Sequence, residues 1–273
     1  MSEEVITRVD ADGNATVMLN RPDLHNAFNP AMTRMLTTTL EKLDADPKVR
    51  AVVLLGAGKS FCAGADIGHM KASAKSSPEQ NYHAAQESAR MFYTLYNLSK
   101  PTIACVHGAT RGGGMGIVAA CDIAMAARTA TFRLSEVKIG IIPSIISPYV
   151  IAAIGERQAR RYFISGEQFD ASEAWRIGLV HDIVEAAELH DAVGGMLAQL
   201  YTSGPQAITE AKKLIGLSAH ADIDQHLLDE TSRRIADIRA TAEGQEGLTA
   251  FLDKRKPTWM GPKSPSRSKR KKA

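Results

Sequence analysis

Residues 101–137 read PTIACVHGATRGGGMGIVAACDIAMAARTATFRLSEV, and this stretch decides the fold class. Residues 101–106 form a short apolar run of strand length, rich in β-branched side chains. A turn with Gly108, Gly112, Gly113 and Gly114 follows. Residues 115–121 are small and apolar, as in a helix buried on every side, and 122–127 are a second apolar run. The segment closes on the carboxylate Glu136. Strand, glycine turn and buried helix in succession place bare backbone N–H groups at a helix N-terminus. There the orphan donors and the helix dipole favour negative charge.

Neither glycine signature for phosphate fits. No Lys-Ser/Thr pair trails the run, and the spacing is not G-x-G-x-x-G. Taken alone, the glycines are explained as well by a helix packed closely on a strand. A second loop strengthens the case. Residues 51–55 are a continuous apolar strand, as expected for one covered on both faces. It opens directly into GAGKSFCAGADIGHM, residues 56–70, with a helix expected from about Ile67. Small side chains at Ala63, Gly64 and Ala65 let a ligand approach the main chain. Two such loops can aim two N–H donors at one oxygen. That is an oxyanion hole, in which each donor lowers a barrier by roughly 3–4 kcal/mol.

The remaining punctuation is consistent with an α/β chain. Strands are expected at 4–9 and 15–19 across the Asp12-Gly13 turn, and a helix at 30–44 with Met32, Met35, Leu36, Leu40 and Leu43 on one side. Residues 130–134 read as an edge-like strand. Ser147-Pro148 reads as cap and first-turn proline of a helix, with a helical stretch at 157–163. Asp170 or Ser172 starts another helix, Gly178 ends it, and 179–184 is a short strand. Helical spacing then covers 186–201, 205–217, 223–242 and 244–252.

Composition bounds the function. A chain of 273 residues is long enough for a substantial core. The polar, acidic N-terminus carries no secretory signal, and no apolar run reaches membrane-spanning length. Cys62, Cys105 and Cys121 show neither metal-ligand nor disulfide spacing, so a reduced cytoplasmic protein without a metal is expected. Residues 261–273 hold six basic side chains and no acidic one. Removing those six from the formal +3 leaves −3, so the basic balance belongs to the tail. A solvated, disordered terminus is preferred there over a nucleic-acid or membrane-surface element.

RPDLHNAFNP, SFCAGADI, HGATRGGGMGIVAACDIAMA and SEVKIGIIP resemble, in order and spacing, the enoyl-CoA hydratase/isomerase (crotonase) family over about residues 5–259. The resemblance implies an acyl-CoA thioester substrate, whose oxygen the N–H groups of Ala65 and Gly113 would bind. Leu24 to Ala27, with Ala63, Asp66 and Ile67, would line the path of the pantetheine and adenine. Pro143 would border the acyl site. Phe251 and Lys254 would reach a neighbouring subunit's coenzyme A in a homotrimer or hexamer. Glu136 would be the catalytic acid/base, its pKa raised by an apolar cleft. Two readings of Asp66 stand side by side, a capping carboxylate and a direct ligand contact. Cys62 reads as loop packing, and His181 as structural.

Two departures from the family pattern stand out. Gly116 occupies the place where two-glutamate hydratases carry their second glutamate, and a glycine cannot activate water. Glu136 acting alone, a replacement such as His69, or assistance from a carboxylate on a branched dicarboxylic substrate are the ways around this. Secondly, residues 141–150 read IIPSIISPYV where many relatives are glycine-rich, so Ile145 and Ile146 should reshape the acyl pocket. Together the departures resemble a bacterial-looking subgroup associated with hydration of branched or terpenoid acyl-CoAs.

The resemblance, and not any internal repeat in the sequence, implies an α/β spiral of ββα units over residues 1–200. A helical trimerisation region at 201–259 and a basic tail at 260–273 would follow. The expected activity is hydration of a 2-enoyl-CoA, of a branched, methylglutaconyl type, needing no cofactor. A Δ3-Δ2 isomerase using a single glutamate is the alternative. An inactive coenzyme A- or nucleic-acid-binding relative is the non-enzymatic reading, resting on Gly116 and the tail.

Overall fold

A computed structural model of the chain describes residues 3–219 and 221–261, arranged in two compact units, Met1–Gly195 and Met196–Ala273. The basic tail expected from residue 260 lies, from residue 262 onward, outside the described residues.

The first unit opens with β1 (Val5–Val9) and β2 (Asn14–Leu19), an antiparallel hairpin in register Val5 to Leu19. The Asp10 carboxylate closes its turn by accepting from the N–H groups of Asp12 and Asn14, both at 2.9 Å. Next, α1 (Pro30–Ala45) starts behind Asn29, whose side chain accepts from Met32 N at 2.7 Å. It buries Met32, Leu36, Leu40 and Leu43, the face expected from their spacing. Then follow β3 (Ala51–Gly56), α2 (Ile67–Ser73), α3 (Pro78–Tyr96), β4 (Thr102–Val106), β5 (Ala109–Arg111) and α4 (Gly113–Ala120). After these come β6 (Ile123–Ala127), β7 (Thr131–Arg133), α5 (Ser147–Ser165), β8 (Gln168–Asp170), α6 (Ala171–Arg176), β9 (Asp182–Val184) and α7 (Leu189–Leu200).

One sheet orders its strands β1-β2-β3-β4-β6-β9, parallel throughout after the first hairpin. A second sheet, β5-β7-β8, continues through isolated parallel bridges Cys62–Thr110 and Phe28–Ala65. Each circuit therefore runs from a strand of the large sheet through a short extended segment of the small one and into a helix. β4, β5 and α4 make one such ββα turn; β6, β7 and α5 make the next. The continuous apolar runs are explained by this layering. β3 and β4 are covered on both faces, and every residue of β4 is buried.

Local differences from the sequence reading have physical causes. β7 is the middle strand of its sheet and not an edge, because β8 pairs with its free side. Ser147 is the first residue of α5 and not its cap: Ile146 holds that place, and the Ser147 hydroxyl donates back to Ser144 O at 2.7 Å. The stretch at 157–163 lies inside α5, which bends at Gly155 (φ 73°). Helix α3 is absent from the sequence reading altogether. It opens with a reciprocal capping box between Ser77 and Gln80.

The second unit contains α8 (Pro205–Ser218), α9 (Gln225–Ala240) and α10 (Ala242–Leu252). Asp224 caps α9, and Thr241 separates α9 from α10 while capping the latter through Gly244 N at 3.0 Å. The Glu243 carboxylate accepts from Gln206 N and Ala207 N at 3.0 and 2.8 Å, which satisfies the start of α8. Among the described residues, no helix is long and apolar enough to cross a membrane.

Candidate active site

The site is assembled where the loop after β3 meets the start of α4. The main chain stitches the loop down first: Cys62 N donates to Ala109 O at 3.3 Å and Arg111 N to Cys62 O at 2.9 Å. On its other side, Phe28 N donates to Gly64 O and Asp66 N to Phe28 O, at 2.7 and 2.8 Å. Ala65 is thus fixed on both flanks while its own N–H is left over. The two loops meet glycine against glycine. Gly64 (φ 89°) and Gly112 (φ 45°) hold left-handed conformations, and a Cβ on Gly64 would stand 3.1 Å from Arg111 O and 3.7 Å from Gly112 Cα. Gly112 N is consumed by Arg133 O at 3.0 Å, but Gly113 N, at the first turn of α4, has no acceptor among the described residues. Among the described residues neither Ala65 N nor Gly113 N is engaged, and both residues line one cavity.

Glu136 lines the same cavity, of about 310 Å³. It begins a single 3-10 turn directly after β7. Its Oε1 would lie 2.8 Å from a Cβ on Gly112, so the carboxylate rests on bare glycine backbone. Its Oε2 is buried with no hydrogen-bond partner among the described residues. Burial pushes the Glu136 carboxyl above its ordinary value, against the opposing effect of its own backbone N–H. The remaining wall is mainly apolar, with Phe28, Met91, Phe92, Pro143, Ile145 and Ile146, and carries the hydroxyl side chains of Thr33, Ser88 and Ser144.

At Gly116, one turn along α4 from Gly112, the space is taken. A Cβ there would meet Phe92 Cε1 at 2.8 Å and Ile146 Cβ at 2.9 Å. Ile146 and Phe92 are both buried, at 4% and 3% exposure. The place of a second carboxylate is therefore a packed apolar contact.

A buried amide holds the loop from behind. Asn26, fully buried at φ 57°, reaches Ala57 O, Ser60 O and Phe61 O through Nδ2 at 2.8–3.2 Å, and its Oδ1 accepts from Arg21 N at 2.9 Å. Asp66 caps α2: Oδ1 accepts from His69 N at 3.1 Å, and Oδ2 pairs with Arg21 at 3.0 Å. Burial pushes its carboxyl up, but the His69 N–H and the Arg21 guanidinium outweigh that and hold it below the ordinary value. Cys62 is fully buried and donates to Asn26 O at 3.2 Å. Burial pushes its thiol up to about 12, which suits packing and not a thiolate nucleophile. His181 accepts from Ala124 N at 3.0 Å, a structural contact.

Ala65, Gly113, Glu136 and Pro143 are brought together around one cavity. Leu24, Ala27, Ala63, Asp66 and Ile67 do not line it; Leu24 and Ile67 are exposed on the surface and Ala27 is buried. His69 lines a second, outer cavity and not the one that holds Glu136. Phe251 and Lys254 belong to the second unit, where Phe251 is 82% exposed. Phe28 and the α3 residues Ala85, Ser88, Met91 and Phe92 are lining residues that the sequence reading missed. The Ser77-Pro78-Glu79-Gln80 start signal was present for α3; its polar first half hid the helix.

This fold and site define an α/β spiral in which a buried carboxylate and two unengaged backbone N–H groups belong to residues lining one cavity. A family model described as enoyl-CoA hydratase/isomerase matches residues 11–262, and the chain belongs to that family. It is 34% identical over 248 residues to the short-chain-enoyl-CoA hydratase of Clostridium acetobutylicum, covering 89% of this chain and 92% of that one. The solved enoyl-CoA hydratase of Shewanella pealeana superposes with a TM-score of 0.91 at 41% identity, covering 94% of this chain and 96% of that one. AtuE of Pseudomonas aeruginosa does so with a TM-score of 0.91 at 36% identity, over 94% and 100%. The spiral of ββα units is thus the crotonase fold.

Proposed function

We propose that this protein adds water to the double bond of a 2-enoyl-CoA, using Glu136 as its single catalytic carboxylate. One observation carries the reading: a carboxylate with a buried oxygen that has no partner among the described residues lines one mainly apolar cavity together with two residues, Ala65 and Gly113, whose N–H groups are not engaged. The thioester oxygen accepts from Ala65 N and Gly113 N. Ionised Glu136 takes one proton from water as the hydroxyl bonds to the β-carbon, and the electron pair of the double bond moves onto the thioester as an enolate. The two N–H donors stabilise that charge. Glu136 then returns its proton to the α-carbon, so the elements of one water are added and the carboxylate is regenerated. No cofactor is needed, coenzyme A being part of the substrate. Similarity to a hydroxycinnamoyl-CoA hydratase-lyase and an (E)-benzylidenesuccinyl-CoA hydratase supports hydration and tolerance of bulky acyl groups.

The filled space at Gly116 favours a second reading. A Δ3-Δ2 isomerase needs only one group, which removes a proton from the α-carbon and returns it to the γ-carbon. Incubation with 2-enoyl-, 3-enoyl- and 3-methylglutaconyl-type CoA thioesters in heavy-oxygen water separates the two. Label at the β-carbon supports hydration, and double-bond migration without label supports isomerisation. Coenzyme A binding with neither product would sink both in favour of an inactive relative.

The same reading places Leu24, Ala27, Ala63, Asp66 and Ile67 along the coenzyme A path, with Phe251 and Lys254 contributed across a trimer or hexamer. Exposed Phe251 and Leu252, at 82% and 76%, support an oligomer contact. Light scattering on the purified protein tests it. Three free, buried cysteines support a reducing, cytoplasmic setting.

A further inference from the structure

The cavity around Glu136 continues into a larger one, of about 1150 Å³, bounded by the start of α1, by α2 and α3, and by residues 139–145. The two share Phe28, Thr33, Ala65, Ala85, Ser88, Ile142 and Ile145. Beyond that neck the wall is apolar over most of its surface, with Met70, Ala74, Ala84, Ile139 and Ile141, but Asn29, Arg34, His69, Ser73, Asn81, His83 and Glu87 also line it. Its charged members, Arg34 and Glu87, are matched with each other. Arg34 pairs with Glu87 at 3.0 Å, and His83 lies 3.3 Å from Glu79. Phosphates would seek unpaired cations there. The residues read as the coenzyme A path, Leu24, Ala27, Ala63, Asp66 and Ile67, line neither cavity.

We propose that the outer cavity receives the distal part of a long, uncharged, apolar acyl chain, so the preferred thioesters are medium- or long-chain. This rests on the acyl-CoA reading of the site. The thioester sits at Ala65 and Gly113, the reacting carbons stand beside Glu136, and the chain passes the Ala85–Ile142 neck to lie against Met70, Ala74 and Ala84. Each methylene taken from water into such a wall strengthens binding about fourfold. The wall offers no matching charge to a terminal carboxylate.

Calorimetric titration with coenzyme A, butyryl-CoA and decanoyl-CoA tests the proposal without requiring turnover. Decanoyl-CoA is expected to bind at least about 100-fold more tightly than butyryl-CoA, six methylenes allowing more than this. Ala84→Trp and Ala74→Trp, which fill the outer cavity from α3 and α2, should each collapse that ratio to below about tenfold. Two variants on separate helices guard against one failing to fold. Equal binding of the two thioesters by the wild type would overturn the proposal while leaving the acyl-CoA reading intact. So would a Trp variant that weakens coenzyme A itself as much as decanoyl-CoA, since the cavity would then hold the nucleotide end. Binding of none of the three would overturn the acyl-CoA reading, and the proposal with it.

Discussion

Ile146 packs its side chain onto the bare backbone of Gly116, with its Cβ 2.9 Å from where a Cβ on that glycine would stand. Both residues are buried, and Phe92 closes the same space from α3. The two departures seen in the sequence, a glycine at 116 and isoleucines at 145 and 146, are therefore one structural fact. A side chain cannot be added at 116 while Ile146 stays.

Gly116→Ala is expected to destabilise the protein by about 1–3 kcal/mol through overpacking. Ile146→Ala alone should cost about 2–5 kcal/mol, the usual range for a truncated buried isoleucine. Combined, they should cost less than their sum by about 1 kcal/mol or more, because each relieves the other. Urea denaturation of the four proteins in the cycle measures the coupling; strict additivity would show that the two side chains do not compete for one space.

Glu136→Gln keeps the shape of the side chain and removes its charge. A fall in kcat of about 10²–10⁴-fold is expected for the loss of an acid/base group, with KM little changed. For wild-type hydration, kcat/KM should rise with pH through a value above the ordinary carboxylate range, because the ionised form starts the reaction and burial raises its pKa. Stability runs the other way. A raised folded-state pKa means that the contribution of Glu136 is full below its unfolded pKa and is lost as pH rises through the folded one. Melting curves should then show Glu136→Gln more stable than wild type at neutral pH, by about 1 kcal/mol. The gap should close in acid.

Much of this was legible from local sequence. The strands, the start of α1 at Pro30, the start of α6 at Asp170 and the two small-residue loops follow from period, punctuation and spacing, whereas the ββα spiral and the choice of Ala65 and Gly113 as donors came from the family resemblance. What was not legible is contact across the chain. Nothing in the stretch 141–150 says that Ile146 lands on Gly116, and nothing in either loop says that Gly64 abuts Gly112. The strand at 131–133 looked like an edge because its partner β8 lies beyond a whole helix. Helix α3 was missed because only Met91, Phe92 and Leu95, all in its last two turns, are fully buried, so its first half carries little apolar signal.

Asp66 offers a pH test outside the reacting centre. Its carboxyl lies below the ordinary value on balance, so the stability it contributes is present above the unfolded pKa and lost as pH falls through the folded one. Asp66→Ala removes the cap of α2 and the Arg21 pair, and should cost about 0.5–2 kcal/mol at neutral pH. That deficit should shrink as the wild type is acidified into and below the carboxylate range. A deficit independent of pH would mean that the ionised form is not what the fold uses.

Asn26 supplies the last prediction, and it separates two contributions of one residue. The side chain serves three carbonyls of the loop after β3 and one N–H, and the backbone holds φ 57°. Asn26→Ala strips the hydrogen bonds and also places a Cβ residue without αL preference in that conformation. Asn26→Gly strips the hydrogen bonds but fits the backbone. Losing a buried hydrogen bond and leaving its partner unsatisfied costs about 1–3 kcal/mol, and the left-handed conformation about 1 kcal/mol more for alanine. Asn26→Gly should therefore be destabilised, and Asn26→Ala more so, in chemical denaturation. Because the same loop carries Ala65, both variants should also lose kcat well before they unfold, with Cys62 becoming measurably reactive towards a thiol reagent as its cover loosens. Identical stabilities for the two variants would assign the whole effect to the amide and none to the backbone.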